Sequence, residues 1–197
     1  MNDIEMRLNL GFEPVLRNTF SFLKKEQAVS TPAFREMLEP VKHNLYNFIY
    51  KALNFSEDAD DVFQETVLRA LKYISGFKPN RSFKTWIFTI AHNEIKSYYK
   101  KNSDKDRMMP DVFRGENIAE EFAANSEGEE KNVVKDIYEI AAELKPNQRR
   151  VFFLFYDDKF SIKEIRDITG LKEGNIKFIL NRSRERIKEE LGVKDEE

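Results

Sequence analysis

Apolar side chains recur every three or four residues along most of the chain, while no stretch alternates between apolar and polar residues for long enough to form a β-strand. One such stripe consists of Phe83, Trp86, Ile87, Ile90 and Ala91, which share one face of a helix. The pattern predicts an all-α fold. With 197 residues, the chain is long enough for two small helical domains, each with its own core.

Capping residues and breakers divide this pattern into separate helices. Pro40 interrupts an early apolar stripe and predicts a break there. Ser56, followed by two acidic residues, is the expected N-cap of a helix over 57–74, and Ser82 is the expected N-cap of the next helix. A series of short helices with defined starts is therefore expected in the first half of the chain.

The segment 103–131 lacks this periodicity and contains nine acidic but only four basic residues, which is typical of a flexible acidic linker. We therefore expect two domains, over 31–102 and 132–197, and an N-terminal extension of unknown role over 1–30. The second domain is predicted to begin with an apolar stripe of Val133, Ile137, Ile140, Ala141 and Leu144.

The end of the chain has the pattern of a helix-turn-helix. Ser161 and Glu164 have the spacing of a capping box, Gly170 predicts a tight turn, and a longer helix begins near Glu173. This order of elements is typical of DNA-reading domains, although a helical hairpin with a solvated outer face is an alternative. The face predicted to point outward contains Lys177, Phe178, Asn181, Arg182 and Glu185.

Charge is unevenly distributed, although the net charge is only -2. Segment 81–107 has seven basic and three acidic residues, and segment 172–188 has six basic and two acidic residues. Each segment has a net charge of +4, which favours contact with nucleic acid, whereas a solvated face is the alternative.

The helix over 57–74 has an acidic outer face. Apolar residues such as Phe63 and Val67 point one way, while Leu68 lies among acids and amides on the other side. Such a face suits a basic partner helix, with the leucine as its apolar contact, and a simple solvent face is the alternative.

Several classes of protein are excluded by what the sequence lacks. There are no cysteines and only two histidines, His43 and His92, and we find no phosphate-binding loop, metal-ligand cluster or paired nucleophile and base. We therefore expect no enzymatic activity, no cofactor and no metal. Because we find no signal peptide or long apolar run, a cytoplasmic protein without membrane insertion is expected.

Two segments resemble a known family. DADDVFQETVLRAL over 58–71 and FKPNRSFKTWIFTIAHNEI over 77–95 are similar to the promoter-melting domain of bacterial extracytoplasmic-function (ECF) sigma factors. LKPNQRRVF over 144–152, SIKEI over 161–165 and NIKFILNRSRER over 175–186 resemble the domain of that family that binds the minus-thirty-five element. Two motifs in this order are more specific than either motif alone.

The resemblance implies three sets of binding residues. The set for core RNA polymerase is Asp58, Asp61, Gln64, Glu65 and Leu68. The set for minus-ten DNA, including a loop that captures a flipped base, is Lys78, Asn80, Arg81, Ser82, Phe83, Trp86, Asn93, Lys96, Tyr99 and Lys100. The set for minus-thirty-five DNA is Lys172, Asn175, Lys177, Phe178, Asn181, Arg182 and Arg184.

The resemblance also implies promoter DNA, core polymerase and an anti-sigma factor as partners. Arg166 stands where the family usually has a small residue between two packed helices, and Phe178 and Ile179 replace polar residues. These departures predict an unusual minus-thirty-five sequence. A sigma-like DNA-binding regulator, or a sigma mimic that binds a regulatory protein without directing polymerase, is the alternative function.

Overall fold

The computed structural model describes residues 31–106 and 129–192, and within them it contains α-helices and one short 3-10 helix but no strand. The all-α prediction is therefore confirmed for this part of the chain. The N-terminal extension over 1–30 and most of the predicted linker lie outside the described residues. The helices are α1 (Thr31–Leu38), α2 (Lys42–Ala52), α3 (Ala59–Tyr73), α4 (Phe83–Asp106), α5 (Glu129–Ala142), α6 (Pro146–Tyr156), α7 (Ile162–Thr169) and α8 (Glu173–Glu190).

The described residues form two compact units. The first unit consists of 31–50 and 57–101, and the second consists of 51–56, 102–106 and 129–192. No described helix combines the length and the apolar character that crossing a membrane would need.

Aromatic packing joins the helices of the first unit. The rings of Phe48 in α2 and Phe88 in α4 have their centroids 5.3 Å apart, and Tyr46 in α2 meets Phe63 in α3 at 5.5 Å. All four side chains are buried. Since large aromatic side chains bury more apolar area than other residues, these contacts hold α3 and α4 against α2.

The start of α3 differs from the prediction. Asp58 rather than Ser56 occupies the N-cap position, and its side chain does not cap the helix. Instead, Asp58 Oδ2 accepts a 2.6 Å hydrogen bond from the Tyr98 hydroxyl in α4. Asp60 and Asp61 lie in the first turn, where acidic residues stabilise the positive end of the helix dipole. The prediction of Ser56 as the cap was wrong because a tertiary contact positions Asp58.

A buried arginine holds the first helices of the second unit together. Pro146 occupies the first turn of α6, and Arg149 follows one turn later with only 2% of its surface exposed. The Arg149 guanidinium donates hydrogen bonds to the carbonyls of Ala142 and Leu144, which would otherwise be unsatisfied at the end of α5. Helix α8 then packs against α5, α6 and α7.

Two features at the edges of the predicted linker differ from the sequence pattern. Helix α4 continues to Asp106 and α5 begins at Glu129, so both ends of the predicted linker are helical. Val133 lies on the predicted apolar stripe but is 47% exposed, whereas Ile140 and Leu144 on the same stripe are buried. The stripe identifies one face of α5, but the other helices of the unit cover only its C-terminal part.

Candidate functional site

The outer face of α3 is acidic and exposed. Asp61 and Glu65 are exposed, Gln64 is half-buried, and Leu68 has 38% of its surface accessible, which is unusual for a leucine in a packed helix. Phe63 on the opposite side is buried. We call the predicted set Asp58, Asp61, Gln64, Glu65 and Leu68 the acidic face. It presents negative charge around one apolar side chain.

The loop between the 3-10 helix and α4 is short and solvent-exposed. The Arg81 amide donates a 2.9 Å hydrogen bond to the Lys78 carbonyl, which closes a turn. The Ser82 hydroxyl accepts a 3.3 Å hydrogen bond from the Thr85 amide, so the predicted N-cap of this helix is confirmed. The side chains of Lys78, Asn80, Arg81 and Ser82 are all exposed. We call residues 78–82 the basic loop.

Three aromatic rings lie beside the basic loop. The ring centroids of Phe77 and Trp86 are 5.2 Å apart, and those of Phe83 and Trp86 are 5.6 Å apart. Phe77, Phe83 and Trp86 are only half-buried. The three rings pack on one another, and each also presents part of its surface to solvent.

A cavity of about 290 Å³ opens next to Trp86. Arg69 and Tyr73 from α3 form one wall, and Ile90, Asn93 and Glu94 from α4 form the other. Sequence reasoning identified Trp86 and Asn93 but missed the remaining lining residues. A signal was present, because Glu94 lies on the buried side of α4 next to Ile87, Ala91 and Ile95, and a charge at such a position requires a partner.

The C-terminal half of α4 has a polar face with a basic end. Asn93, Lys96 and Lys100 follow the helical spacing and are all exposed, while Tyr99 is half-buried. Helix α4 contains Asn93, Lys96 and Lys100, lines the cavity and directly follows the basic loop. The predicted minus-ten residues therefore belong to the basic loop and α4 of the first unit.

In the second unit, the capping box and the turn of the helix-turn-helix are both present. The Ser161 hydroxyl accepts from the Glu164 amide, and the Glu164 carboxylate accepts from the Ser161 amide at 2.9 Å. Gly170 ends α7 with a φ of 73°, a conformation that favours glycine, and its amide donates a 2.8 Å hydrogen bond to the Arg166 carbonyl.

The outer face of α8 is basic and includes one aromatic residue. Its buried side consists of Ile176, Leu180, Ser183 and Ile187. The seven predicted minus-thirty-five residues are all exposed, and Phe178 has 64% of its surface accessible. Arg184 pairs with Asn181, and Arg182 lies 3.4 Å from Glu185. We call the seven residues the reader face.

Arg166, which stands where the family usually has a small residue, does not lie between α7 and α8. Its side chain is 45% exposed and forms ion pairs with Asp167 at 2.9 Å and Glu173 at 2.8 Å. Because the guanidinium bridges the turn on its outer side, the buried contact between the helices is left to residues such as Ile165 and Ile176. An arginine is therefore accommodated without separating the helices.

No group of His, Asp or Glu side chains within 31–106 and 129–192 could hold a metal ion.

Comparisons with known proteins agree with this arrangement. Residues 37–105 match the family described as Sigma-70 region 2, and residues 135–187 match Sigma-70, region 4. The chain is 27% identical over 176 residues to the ECF RNA polymerase sigma factor SigW of Bacillus subtilis, covering 86% of this chain and 94% of that protein. It is 26% identical to SigM of the same organism, covering 82% of this chain and 98% of that protein.

A solved structure has the same fold. The sigma factor RpoE of Bartonella quintana, solved in complex with the anti-sigma factor NepR, superimposes with a TM-score of 0.66 at 24% identity. The match covers 83% of this chain and 99% of that one.

Proposed function

The chain belongs to the ECF sigma factors of bacterial RNA polymerase, and from that premise we propose that it binds core polymerase and directs promoter-specific initiation. The observation that supports this most is the coexistence of three exposed surfaces on one chain. These are the acidic face of α3, the basic loop with α4, and the reader face of α8. The proposed domains are 31–102 and 132–197, joined by the linker.

The acidic face is proposed to bind core polymerase. Negative charges around Leu68 would orient a basic helix of the polymerase, and the leucine would supply the apolar contact at the centre. Because Asp61 and Glu65 are exposed, they can approach a partner without unfolding the helix. Exposed charges contribute more to orientation and association rate than to affinity, so Leu68 and Gln64 are expected to dominate the binding energy.

The basic loop and α4 are proposed to bind the minus-ten element. A base that leaves the duplex loses its stacking, and the half-buried rings of Phe83 and Trp86 are placed to replace it. Lys96 and Lys100 would then contact phosphates along the same strand. The loop residues Lys78 to Ser82 would surround the flipped base.

The reader face is proposed to enter the major groove at the minus-thirty-five element. A helix presented by a capped helix-turn-helix is the usual way in which such domains place side chains against base edges. Lys177 and Asn181 would reach the base edges, while Arg182 and Arg184 would contact phosphates.

Regulation by an anti-sigma factor in the cytoplasm is part of the proposal. The fold matches a sigma factor that was solved with an anti-sigma factor, which supports the same kind of partner for this chain. The protein would act by binding, without a reaction of its own, because polymerase performs the chemistry.

The acidic face provides the experiment for this proposal. Replacing Asp61→Ala together with Gln64→Ala should weaken binding of core polymerase by at least about tenfold, because an exposed and a half-buried contact beside Leu68 are lost. The measurement is a pull-down with purified core polymerase, and Asp136→Ala, an exposed aspartate of the second unit, is the control. Unchanged binding by the double variant, with normal helicity by circular dichroism, would contradict the assignment.

A further inference from the structure

The cavity beside Trp86 contains an ion pair, Arg69 with Glu94, that lies outside the sets implied by the family resemblance. Arg69 Nε lies 3.0 Å from Glu94 Oε1, and its Nη2 donates to Glu65 Oε1 at 3.2 Å. Arg69 is about half exposed, whereas Glu94 is only 6% exposed. One guanidinium is therefore held between two carboxylates, one at the floor of the cavity and one at the surface.

Burying the carboxylate of Glu94 at this position costs free energy of folding. Burial raises the pKa of Glu94, and the nearby Glu65 raises it further, while Arg69 and Lys101 lower it. Its Oε1 faces Arg69 Nε in the ion pair at 3.0 Å, but not in hydrogen-bond geometry, and no other donor from the residues over 31–106 and 129–192 bonds to this oxygen. An apolar residue at this position would pack in the core without the free-energy cost of burying a charge. A buried carboxylate that lines a cavity and can accept a further hydrogen bond is characteristic of a binding site.

The charges of the cluster indicate what kind of group the cavity accepts. Arg69, Glu65 and Glu94 together have a net charge of -1 when ionised, so a phosphate would be repelled. A neutral base meets no such repulsion. The rings of Tyr73 and Trp86 offer stacking surfaces, and Asn93 adds an amide that can both donate and accept.

The carboxylate also distinguishes among bases. An ionised carboxylate only accepts hydrogen bonds, so it pairs with an exocyclic amine and is repelled by a carbonyl oxygen. Cytosine and adenine each present an exocyclic amine next to a ring nitrogen that accepts a hydrogen bond, whereas thymine has no exocyclic amine and presents two carbonyl oxygens. Arg69, fixed beside the carboxylate, can donate to the neighbouring acceptor atom of the same base.

We propose that the cavity between α3 and α4 receives one base of the promoter and that Glu94, together with Arg69, selects cytosine or adenine over thymine at that position. The inference rests on the proposed function, because it concerns the same minus-ten surface. It adds two specificity-determining residues to that surface, both outside the set that the resemblance implies. Glu94 acts directly on the base and also positions Arg69.

The test is sequence selection by the complete holoenzyme. Core polymerase is combined with wild-type protein, Glu94→Gln or Arg69→Gln, and each holoenzyme selects active promoters from a library randomised over the minus-ten region. Glutamine has nearly the same shape as glutamate but can donate as well as accept, so Glu94→Gln should tolerate thymine. We expect preference for the amine-bearing base to fall about tenfold at one position, with other positions unchanged.

The control is Glu39→Gln, which makes the same charge change at an exposed glutamate that pairs with Lys42 at 2.6 Å. It should select the same sequences as wild type. Arg69→Gln alters a half-exposed residue and tests the second member of the ion pair independently of Glu94→Gln. Circular dichroism establishes folding for each variant.

Each outcome has a distinct meaning. A change of preference confined to one position supports the inference. Identical preferences for wild type and both variants overturn it, and so does an equal loss of preference at every position, because that is the effect of a general structural defect. If wild-type holoenzyme selects no promoter at all, the proposed function fails and the inference falls with it.

Discussion

Phe178 offers the sharpest test of how the reader face recognises DNA. It is the most exposed of the large hydrophobic side chains described, with 64% of its surface accessible, and it lies between Lys177 and Ile179 on the first turns of α8. In the major groove, the only apolar group that a base edge offers is the thymine methyl. Replacement of Phe178→Ser should therefore relax a preference for thymine within the minus-thirty-five element.

The size of the effect is set by the smaller of the two groups in contact. A phenylalanine side chain has roughly 150–250 Å² to bury, and most of it is accessible here, so area does not limit the contact. The limit is the methyl group, whose burial is worth about 0.8 kcal/mol. That free energy corresponds to roughly a fourfold change in preference for thymine over cytosine at one position.

The assay is selection from promoters randomised over the minus-thirty-five region, using holoenzyme with wild-type protein or Phe178→Ser. Val133→Ser is the matched control, since Val133 is another exposed apolar residue of the second unit and is 47% exposed. It should leave the selected sequences unchanged. Identical sequences for wild type and Phe178→Ser would refute the methyl contact, and reduced binding of a protein partner without a change in sequence would assign Phe178 to a protein interface.

Three further predictions concern DNA opening, salt dependence and pH. Asn80→Ala with Arg81→Ala should reduce promoter opening and alter minus-ten preference more than minus-thirty-five preference, and an unchanged permanganate footprint would place base capture elsewhere. Arg182→Ala or Arg184→Ala should weaken binding to all sites alike and lower the slope of log affinity against log salt by about one per contact, whereas a sequence-dependent loss would indicate base contact instead. Because burial raises the pKa of Glu94, its ionised form destabilises the folded state above that pKa, and this cost disappears as pH falls below the ordinary value of 4.5. The gain in Tm of Glu94→Gln over wild type should therefore be larger at pH 7 than at pH 4, and a difference independent of pH would contradict the shift.

Local sequence signals predicted the helix-turn-helix well. The Ser161 and Glu164 capping box, the turn at Gly170 and the start of α8 at Glu173 are all present as expected. These features depend on hydrogen bonds and backbone conformations within a few residues, so the sequence alone determines them. The inward and outward faces of α8 were predictable for the same reason, because helical periodicity fixes which side chains share a face.

The errors occurred where distant residues decide the outcome. Asp58 is drawn into a hydrogen bond with Tyr98, which lies 40 residues away, and no local rule predicts this contact. Val133 has the spacing of a core residue, yet the helices of its unit do not cover it. Whether a residue on an apolar stripe is buried depends on which helices pack over it, and that is a property of the tertiary fold.

The candidate binding surfaces were predictable in part. The acidic face and the reader face follow from periodicity and charge, because each lies on a single helix. The cavity lined by Arg69 and Glu94 could not be anticipated in the same way, since its two walls come from α3 and α4. The sequence contained only an indirect signal, namely an acidic residue on the buried side of α4.

The most direct test of the central claim is run-off transcription on fragmented genomic DNA with purified core polymerase. Core polymerase is assayed alone, with wild-type protein, and with the Asp61→Ala and Gln64→Ala double variant. Discrete start sites should appear only when wild-type protein is added and should weaken with the double variant. Transcripts that are the same with and without the protein, despite normal folding and stable binding to DNA, would contradict the proposed function and identify the chain as a DNA-binding regulator that does not direct polymerase.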